Sequence, residues 1–216
     1  MANVATALAV LITLLAFVPI KKLKIESRLI GVASAISVAT YVVLMFGNFR
    51  GKEVNLPQNI ATILIFFPLA IAYYRVLNKQ YKGFFIASTF LFLTFGIYNL
   101  VNWQQDDYNS YTDAVASFFL IIYCILYLYR LLVELPVQQL HTVPMFWFNS
   151  AILLYQAGAL FLFLFRPYLI EVLGNDMLIY WSFHNILNVV HQIILIIGLC
   201  LDLRNIKLRS LSPSVP

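Results

Sequence analysis

Seven long runs of apolar residues, separated by short polar connections, make up about two thirds of this 216-residue chain. Each run approaches or exceeds the roughly 20 residues that a helix needs to cross the hydrocarbon core of a bilayer. The pattern predicts an all-α integral membrane protein, with a single seven-helix domain over residues 1–209 and a disordered tail at 210–216. The predicted spans are Met1–Ile20, Leu29–Phe46, Asn59–Val76, Phe84–Trp103, Ala114–Val133, Pro144–Phe165 and Met177–Leu201.

Composition supports a membrane environment. The chain is 62% hydrophobic and 11% charged, whereas ordinary soluble domains are about 25% charged. The charges lie almost wholly between the apolar runs, so the net charge of +5 is explained by membrane orientation rather than by binding to nucleic acid. We therefore expect the lipid bilayer as a partner and no nucleic acid. Because no basic residue precedes the first run, we expect that run to be retained as a span rather than cleaved as a signal peptide.

The distribution of lysine and arginine predicts the orientation. The first, third and fifth connections and the tail together hold eleven of these residues, and the other three connections hold three. Because basic residues favour the cytoplasmic side, the C-terminus is predicted in the cytoplasm and the N-terminus outside, in the inner (plasma) membrane of a bacterium. The eleven are Lys21, Lys22, Lys24, Arg28, Arg75, Lys79, Lys82, Arg130, Arg204, Lys207 and Arg209, and the three are Arg50, Lys52 and Arg166.

The last apolar run carries a polar stripe. At 100° per residue, its polar side chains fall within an arc of about 120° of one helix. Unpaired amide and imidazole groups in hydrocarbon cost several kcal/mol each, so this face is expected to point at other helices or at water held between them. The stripe consists of Trp181, His184, Asn185, Asn188, His191 and Gln192.

Two other runs carry polar faces, and together the three predict a polar pocket that leans outward between the fourth, sixth and seventh spans. Within it we expect His191 to hydrogen-bond the sixth span through Gln156, because both lie near mid-depth. The candidate ligand-binding residues are Asn99, Asn102, Asn149, Gln156, His184, Asn185, Asn188 and His191. The same residues also suit a second interpretation, that of hydrogen bonds between helices worth about 0.6 kcal/mol each.

Several classes of function are disfavoured by the sequence. No acidic or basic residue lies in the middle of a predicted span, which excludes a retinal Schiff base in the last span and disfavours ion-driven transport. His184 and His191 lie about 10 Å apart along a helix axis, too far to share one zinc ion. We therefore expect no metal, no cofactor and no enzyme active site. We also expect none of the proline-broken helix pairs or inverted repeats that mark many small carriers.

The segments Pro144–Tyr155 and Trp181–Asn188 resemble uncharacterised seven-helix bacterial membrane proteins, which in turn look like detached sensor modules of two-component systems. The resemblance implies a sensory role. Together with the polar stripe it favours a receptor-like protein that binds a small, weakly polar or lipid-derived ligand. Because we expect no output domain in this chain, the signal would pass to a separate cytoplasmic kinase or regulator. The alternative is a facilitator or channel for a small neutral solute.

Overall fold

The structure, a computed structural model, describes residues 2–17, 23–47, 54–77, 81–102, 111–134, 140–173 and 177–211. All regular structure in these residues is helical, as the apolar pattern predicted. A 3₁₀ turn at Leu140–Thr142 precedes the sixth helix. The α-helices are α1 (Ala2–Phe17), α2 (Ile25–Phe46), α3 (Asn55–Val76), α4 (Lys82–Asn102), α5 (Tyr111–Glu134), α6 (Pro144–Leu164), α7 (Arg166–Leu173) and α8 (Met177–Leu211).

Six of these helices, α2 to α6 and α8, are long and apolar enough to cross a membrane. The first helix is apolar over Val4–Phe17 but shorter. Large apolar side chains also cover the outside of the bundle, where Phe46, for example, is 75% exposed. Because such a surface suits lipid far better than water, the chain has the architecture of a multi-pass membrane protein.

The helix ends differ from the predicted spans in several places. α8 continues ten residues past the predicted end at Leu201, to Leu211, and so covers the first two residues of the predicted tail. The short helix α7 occupies part of a predicted connection. Pro68 lies inside α3, so this one predicted span does contain an internal proline. Residues 18–20, Trp103 and 212–216, which belong to the predicted first span, fourth span and tail, lie outside the described residues.

Six helices form a closed ring. In order around the ring, α1 packs on α2, α2 on α3, α3 on α5, α5 on α6, α6 on α8, and α8 returns to α1. The remaining long helix, α4, lies outside the ring and packs mainly against α3 and α5. Two buried hydrogen bonds hold it there: Ser88 is 2.6 Å from the Tyr123 hydroxyl, and the Asn99 amide donates to Thr112 at 2.6 Å.

One end of the ring carries basic side chains, and we call it the basic end: Lys24 precedes α2, Arg75 lies in the last turn of α3, and Arg130 lies near the end of α5. Arg130 pairs with Glu134 at 2.8 Å and also donates to the carbonyl of Val76, so it ties α5 to the end of α3. The end of α3 has carbonyl groups with no partner inside the helix, and the guanidinium supplies one.

The interface between α6 and α8 depends on close approach at two glycines. A Cβ placed on Gly198 of α8 would lie 2.5 Å from the ring of Phe148 in α6. A Cβ placed on Gly158 of α6 would lie 2.5 Å from the end of the Leu187 side chain in α8. Both contacts are too short for any larger residue without movement of a neighbour. Small residues therefore bring these two helices together, as is common for helices that pack within membranes.

Candidate ligand-binding cavity

A cavity of about 310 Å³ lies in the centre of the ring. Each of the six ring helices contributes to its wall, whereas α4 contributes nothing. The pocket expected between the fourth, sixth and seventh spans is therefore placed differently: α6 and α8 do line it, but α1, α2, α3 and α5 take the place of α4. This exchange is not visible in the pattern of polar residues, because the polar face of α4 packs on α5 instead.

The wall has a polar part away from the basic end. Asp113, in the first turn of α5, faces the cavity and accepts a short hydrogen bond from the Thr62 hydroxyl of α3. The same hydroxyl also lies 3.1 Å from the carbonyl oxygen of Gln58. One turn further along α5, the Ser117 hydroxyl donates to the Gln156 Oε1 atom of α6 at 2.7 Å. These bonds link three ring helices around one side of the cavity.

The α8 side of the wall carries an imidazole and two amides. The ring of His191 stacks on that of Tyr155 in α6, with ring centres 4.8 Å apart and planes inclined by 25°. Next to it, the Gln192 amide donates to the Asn188 Oδ1 atom at 3.3 Å. The Nδ1 atom of His191 and the Oε1 atom of Gln192 are buried, and neither has a hydrogen-bond partner among the described residues. Gln192 as a whole is only 7% exposed.

Apolar side chains close the cavity toward the basic end. Leu69, Leu120 and Leu195 form its floor, and all three are buried. Below the floor, Phe148 and Leu199 are fully buried. A second cavity of about 480 Å³ at the basic end shares no lining residue with the central one. At this depth the Tyr73 hydroxyl donates to Asn149 Oδ1 at 3.0 Å and lies 3.0 Å from the Cys124 sulfur, whereas the buried Nδ2 atom of Asn149 has no acceptor among the described residues.

Three of the eight candidate residues line the central cavity: Gln156, Asn188 and His191. The other five do not. Asn99 is bonded to Thr112 between α4 and α5, and the Asn102 amide donates to the Tyr98 carbonyl of its own helix. Asn149 belongs to the layer beneath the floor. His184 lies among the rings of Tyr155, Phe163 and Trp181, and Asn185 is half-buried outside the cavity wall.

The expected hydrogen bond between His191 and Gln156 is wrong. Gln156 accepts from Ser117 of α5, and His191 makes a ring contact with Tyr155 rather than a polar contact with its neighbour Gln156. The helix pair was predicted correctly, but the partner residue was not. An imidazole can stack its flat face on an aromatic ring, and here this contact with Tyr155 takes the place of a hydrogen bond to the Gln156 amide.

The sequence interpretation also missed two residues of the wall, Asp113 and Gln192. The predicted fifth span begins at Ala114, so the prediction puts Asp113 in the preceding connection. The available signal was helical spacing, since Asp113, Ala116, Ser117 and Leu120 recur at intervals of three and four, as expected for one face of a helix. Gln192 belongs to the predicted polar stripe but is not among the predicted binding residues.

The arrangement has the form of a small-molecule binding site. Among the described residues, no group of three histidine, cysteine or acidic side chains is placed to hold a metal ion. A concave site with apolar walls and a few convergent polar groups is instead the usual form of a small-molecule site, and a volume near 300 Å³ is at the small end for such sites.

Comparison with known proteins adds no assignment: no protein family, curated protein or solved structure matches the chain. The resemblance of Pro144–Tyr155 and Trp181–Asn188 to seven-helix sensor modules therefore stays a prediction. What can be concluded about function rests on the cavity and on the ring of helices that encloses it.

Proposed function

We propose that this protein is a receptor-like membrane sensor that binds a small ligand in the central cavity and signals to a separate cytoplasmic partner. The observation that carries the proposal is the cavity itself, which has a polar wall containing Asp113, Gln156 and Gln192 and an apolar floor. Buried polar groups are costly inside a membrane protein unless they are paired. The unpaired acceptor of Gln192 is therefore better explained by a ligand than by packing between helices.

The floor of the cavity distinguishes this proposal from the alternative of a channel. A solute path would have to pass between Leu120, Leu195 and the fully buried side chains below them, Phe148 and Leu199. It would then have to reach a basic-end cavity that has no wall in common with the central one. A closed floor favours a ligand that enters and leaves by the same side.

The proposed topology has seven spans, with α1 as the first and α8 as the last. The basic end faces the cytoplasm, as the count of eleven basic residues against three predicts, and the N-terminus lies outside in a bacterial inner membrane. The cavity then leans toward the outer side, because Asp113 and Thr62 lie near the helix ends opposite the basic end. The ligand would arrive from outside or from the bilayer.

A route for the signal runs along α8. This helix supplies Asn188, His191 and Gln192 to the cavity, and about three turns further on it supplies Asp202 to the basic end. A ligand that shifts α8 would thus change the surface offered to a cytoplasmic kinase or regulator. Small displacements of packed helices are a common way in which binding sites and distant surfaces are coupled.

The experiment that tests the proposal compares the molecules that co-purify with wild-type protein and with variants whose cavity is filled. Ala33→Leu and Ala116→Leu add bulk at buried positions of the cavity wall, and Ala39→Leu adds the same bulk at an exposed position of α2. Mass spectrometry of protein gently extracted from its native membrane should find one compound enriched with wild type and with Ala39→Leu, and depleted in both filled variants. Equal recovery of every compound from all four proteins would contradict the proposal.

A further inference from the structure

We propose that the ligand of the central cavity is a small amphiphile with a protonated amine, which binds Asp113 while its apolar body lies toward Leu195. This inference rests on the proposed function and names the class of ligand. Its first support is the charge of the wall. The cavity lining contains one carboxylate, Asp113, and no lysine or arginine among the residues that the structure describes.

The placement of Asp113 is the second support. The Thr62 hydroxyl of the neighbouring α3 bonds one carboxylate oxygen and so fixes the orientation of the group. A carboxylate has about four acceptor positions on its two oxygens, so it can accept hydrogen bonds from more than one donor at a time. Hydrogen bonds between an ammonium and a carboxylate are about twice as strong as neutral ones, and they gain further strength where water is excluded.

The third support comes from α8 and is independent of Asp113. The buried Oε1 atom of Gln192 is an acceptor that lacks a donor. Gln192 also lines the cavity, and its own amide group is already engaged with Asn188. The wall therefore offers acceptors on two different helices. A ligand with a donor group matches these acceptors, whereas an anion would be repelled by the Asp113 carboxylate.

The body of the ligand follows from the rest of the wall. Apolar side chains line the inner part of the cavity, and the volume of about 310 Å³ admits only a small molecule. Its apolar lining includes Ile30, Phe66, Leu69, Leu120, Ile152 and Leu195. A molecule with one amine and a compact hydrocarbon body fits such a site, because the amine contacts the polar wall and the hydrocarbon contacts the apolar lining.

The test uses three probes of similar size and different charge: 2-phenylethylamine, 2-phenylethanol and phenylacetate. Binding to the full-length protein in lipid nanodiscs is measured by calorimetry, with empty nanodiscs to correct for partition into lipid. We expect the amine to bind about tenfold more tightly than the alcohol, which is the difference between a charge-assisted and a neutral hydrogen bond. Phenylacetate should bind more weakly than either.

Substitutions then assign the effect to particular side chains. Asp113→Asn should remove the advantage of the amine, about tenfold, and leave the alcohol unchanged. Gln192→Glu should strengthen binding of the amine and Gln192→Leu should weaken it, which gives a second test if Asp113→Asn fails to fold. The matched control is Glu171→Gln, which neutralises an exposed carboxylate of α7 outside the cavity.

The outcomes separate the two proposals. Equal binding of amine and alcohol, unchanged by Asp113→Asn, would overturn the amine inference and leave the cavity as a site for neutral ligands. Displacement of the amine by sodium or magnesium chloride, but not by an equal ionic strength of choline chloride, would overturn it in favour of a metal cation. If none of the probes binds, the amine inference fails. In that case the proposed function is still decided separately by the compounds that co-purify with wild-type and cavity-filled protein.

Discussion

The hydroxyl of Ser27 donates a 2.6 Å hydrogen bond to the Oδ2 atom of Asp202, and this bond joins the first turn of α2 to α8 across 175 residues of sequence. The same oxygen accepts from the backbone amide of Lys24 at 3.1 Å. Asp202 is 1% exposed, so its carboxylate acts as a buried cap on the N-terminus of α2. A negative charge at this position is favourable because the first amides of a helix have no partner inside it.

We expect Asp202→Ala to destabilise the protein by about 1–3 kcal/mol, because it leaves the Ser27 hydroxyl and the Lys24 amide without their acceptor. Ser27→Ala should cost less, about 1 kcal/mol, since the carboxylate keeps its bond to the backbone. Unfolding in mixed detergent micelles measures both. Arg204→Ala, which changes an exposed neighbour on α8, serves as the control and should have little effect. Equal stability of the control and Asp202→Ala would contradict the capping role.

The stacking of His191 on Tyr155 predicts a contrast between two substitutions. His191→Phe retains a flat ring at 4.8 Å from Tyr155 and should keep most of the stability, whereas His191→Leu should lose about 0.5–1.5 kcal/mol. Both remove the imidazole from the cavity wall, so both should alter ligand binding. If His191→Leu alone impaired binding, the imidazole would act by packing and not as a polar group of the site.

The two glycines between α6 and α8 should differ in their tolerance. Gly198→Ala places a methyl group against the ring of Phe148 and close to the Pro144 carbonyl, so we expect a loss of about 1–3 kcal/mol. Gly158→Ala meets the end of a flexible Leu187 side chain that can move aside, so its cost should be smaller. Thermal unfolding of both variants measures this order. A second substitution, Phe148→Leu, should recover part of the loss in Gly198→Ala only.

Asn99 should affect stability without affecting the ligand, although it was among the candidate binding residues. It is fully buried and donates to Thr112 between α4 and α5, outside the ring that encloses the cavity. Asn99→Leu should lower stability by about 0.6–1.7 kcal/mol, the range for hydrogen bonds between membrane helices. Binding of 2-phenylethylamine should stay at the wild-type level. A parallel loss of binding would place α4 in the site after all.

The sequence was sufficient for much of the fold and for only part of the site. Long apolar runs and the basic residues between them predicted the helices, because lipid allows few other structures. Of the polar stripe of α8, the predicted binding residues Asn188 and His191 line the central cavity. The spacing of the polar residues does not show which neighbouring helix each stripe faces, however. Asn99 and Gln156 look alike in sequence, yet the first pairs with Thr112 outside the ring and the second lines the cavity.

Asp113 shows why the remainder could not be predicted. Its position at the edge of an apolar run is equally typical of a loop and of a first helical turn, and only the start of α5 at Tyr111 decides between them. The positions of helix ends are the part of a structure that sequence predicts least well, with errors of a few residues in either direction. At a membrane boundary that small difference moves a carboxylate from the surface into a cavity.

A receptor of this kind requires a cavity that can be reached from one side of the membrane only. The most direct test is to place a cysteine at Ser37, in the cavity wall, in a Cys200→Ala background and to compare its labelling by a membrane-impermeant thiol reagent from each side of oriented vesicles. Leu199→Cys, below the floor, serves as the comparison. We expect labelling of the Ser37→Cys protein from the outer side alone, slowed by 2-phenylethylamine, and no labelling of the Leu199→Cys protein from either side. Labelling of both positions from both sides would contradict it and identify a channel.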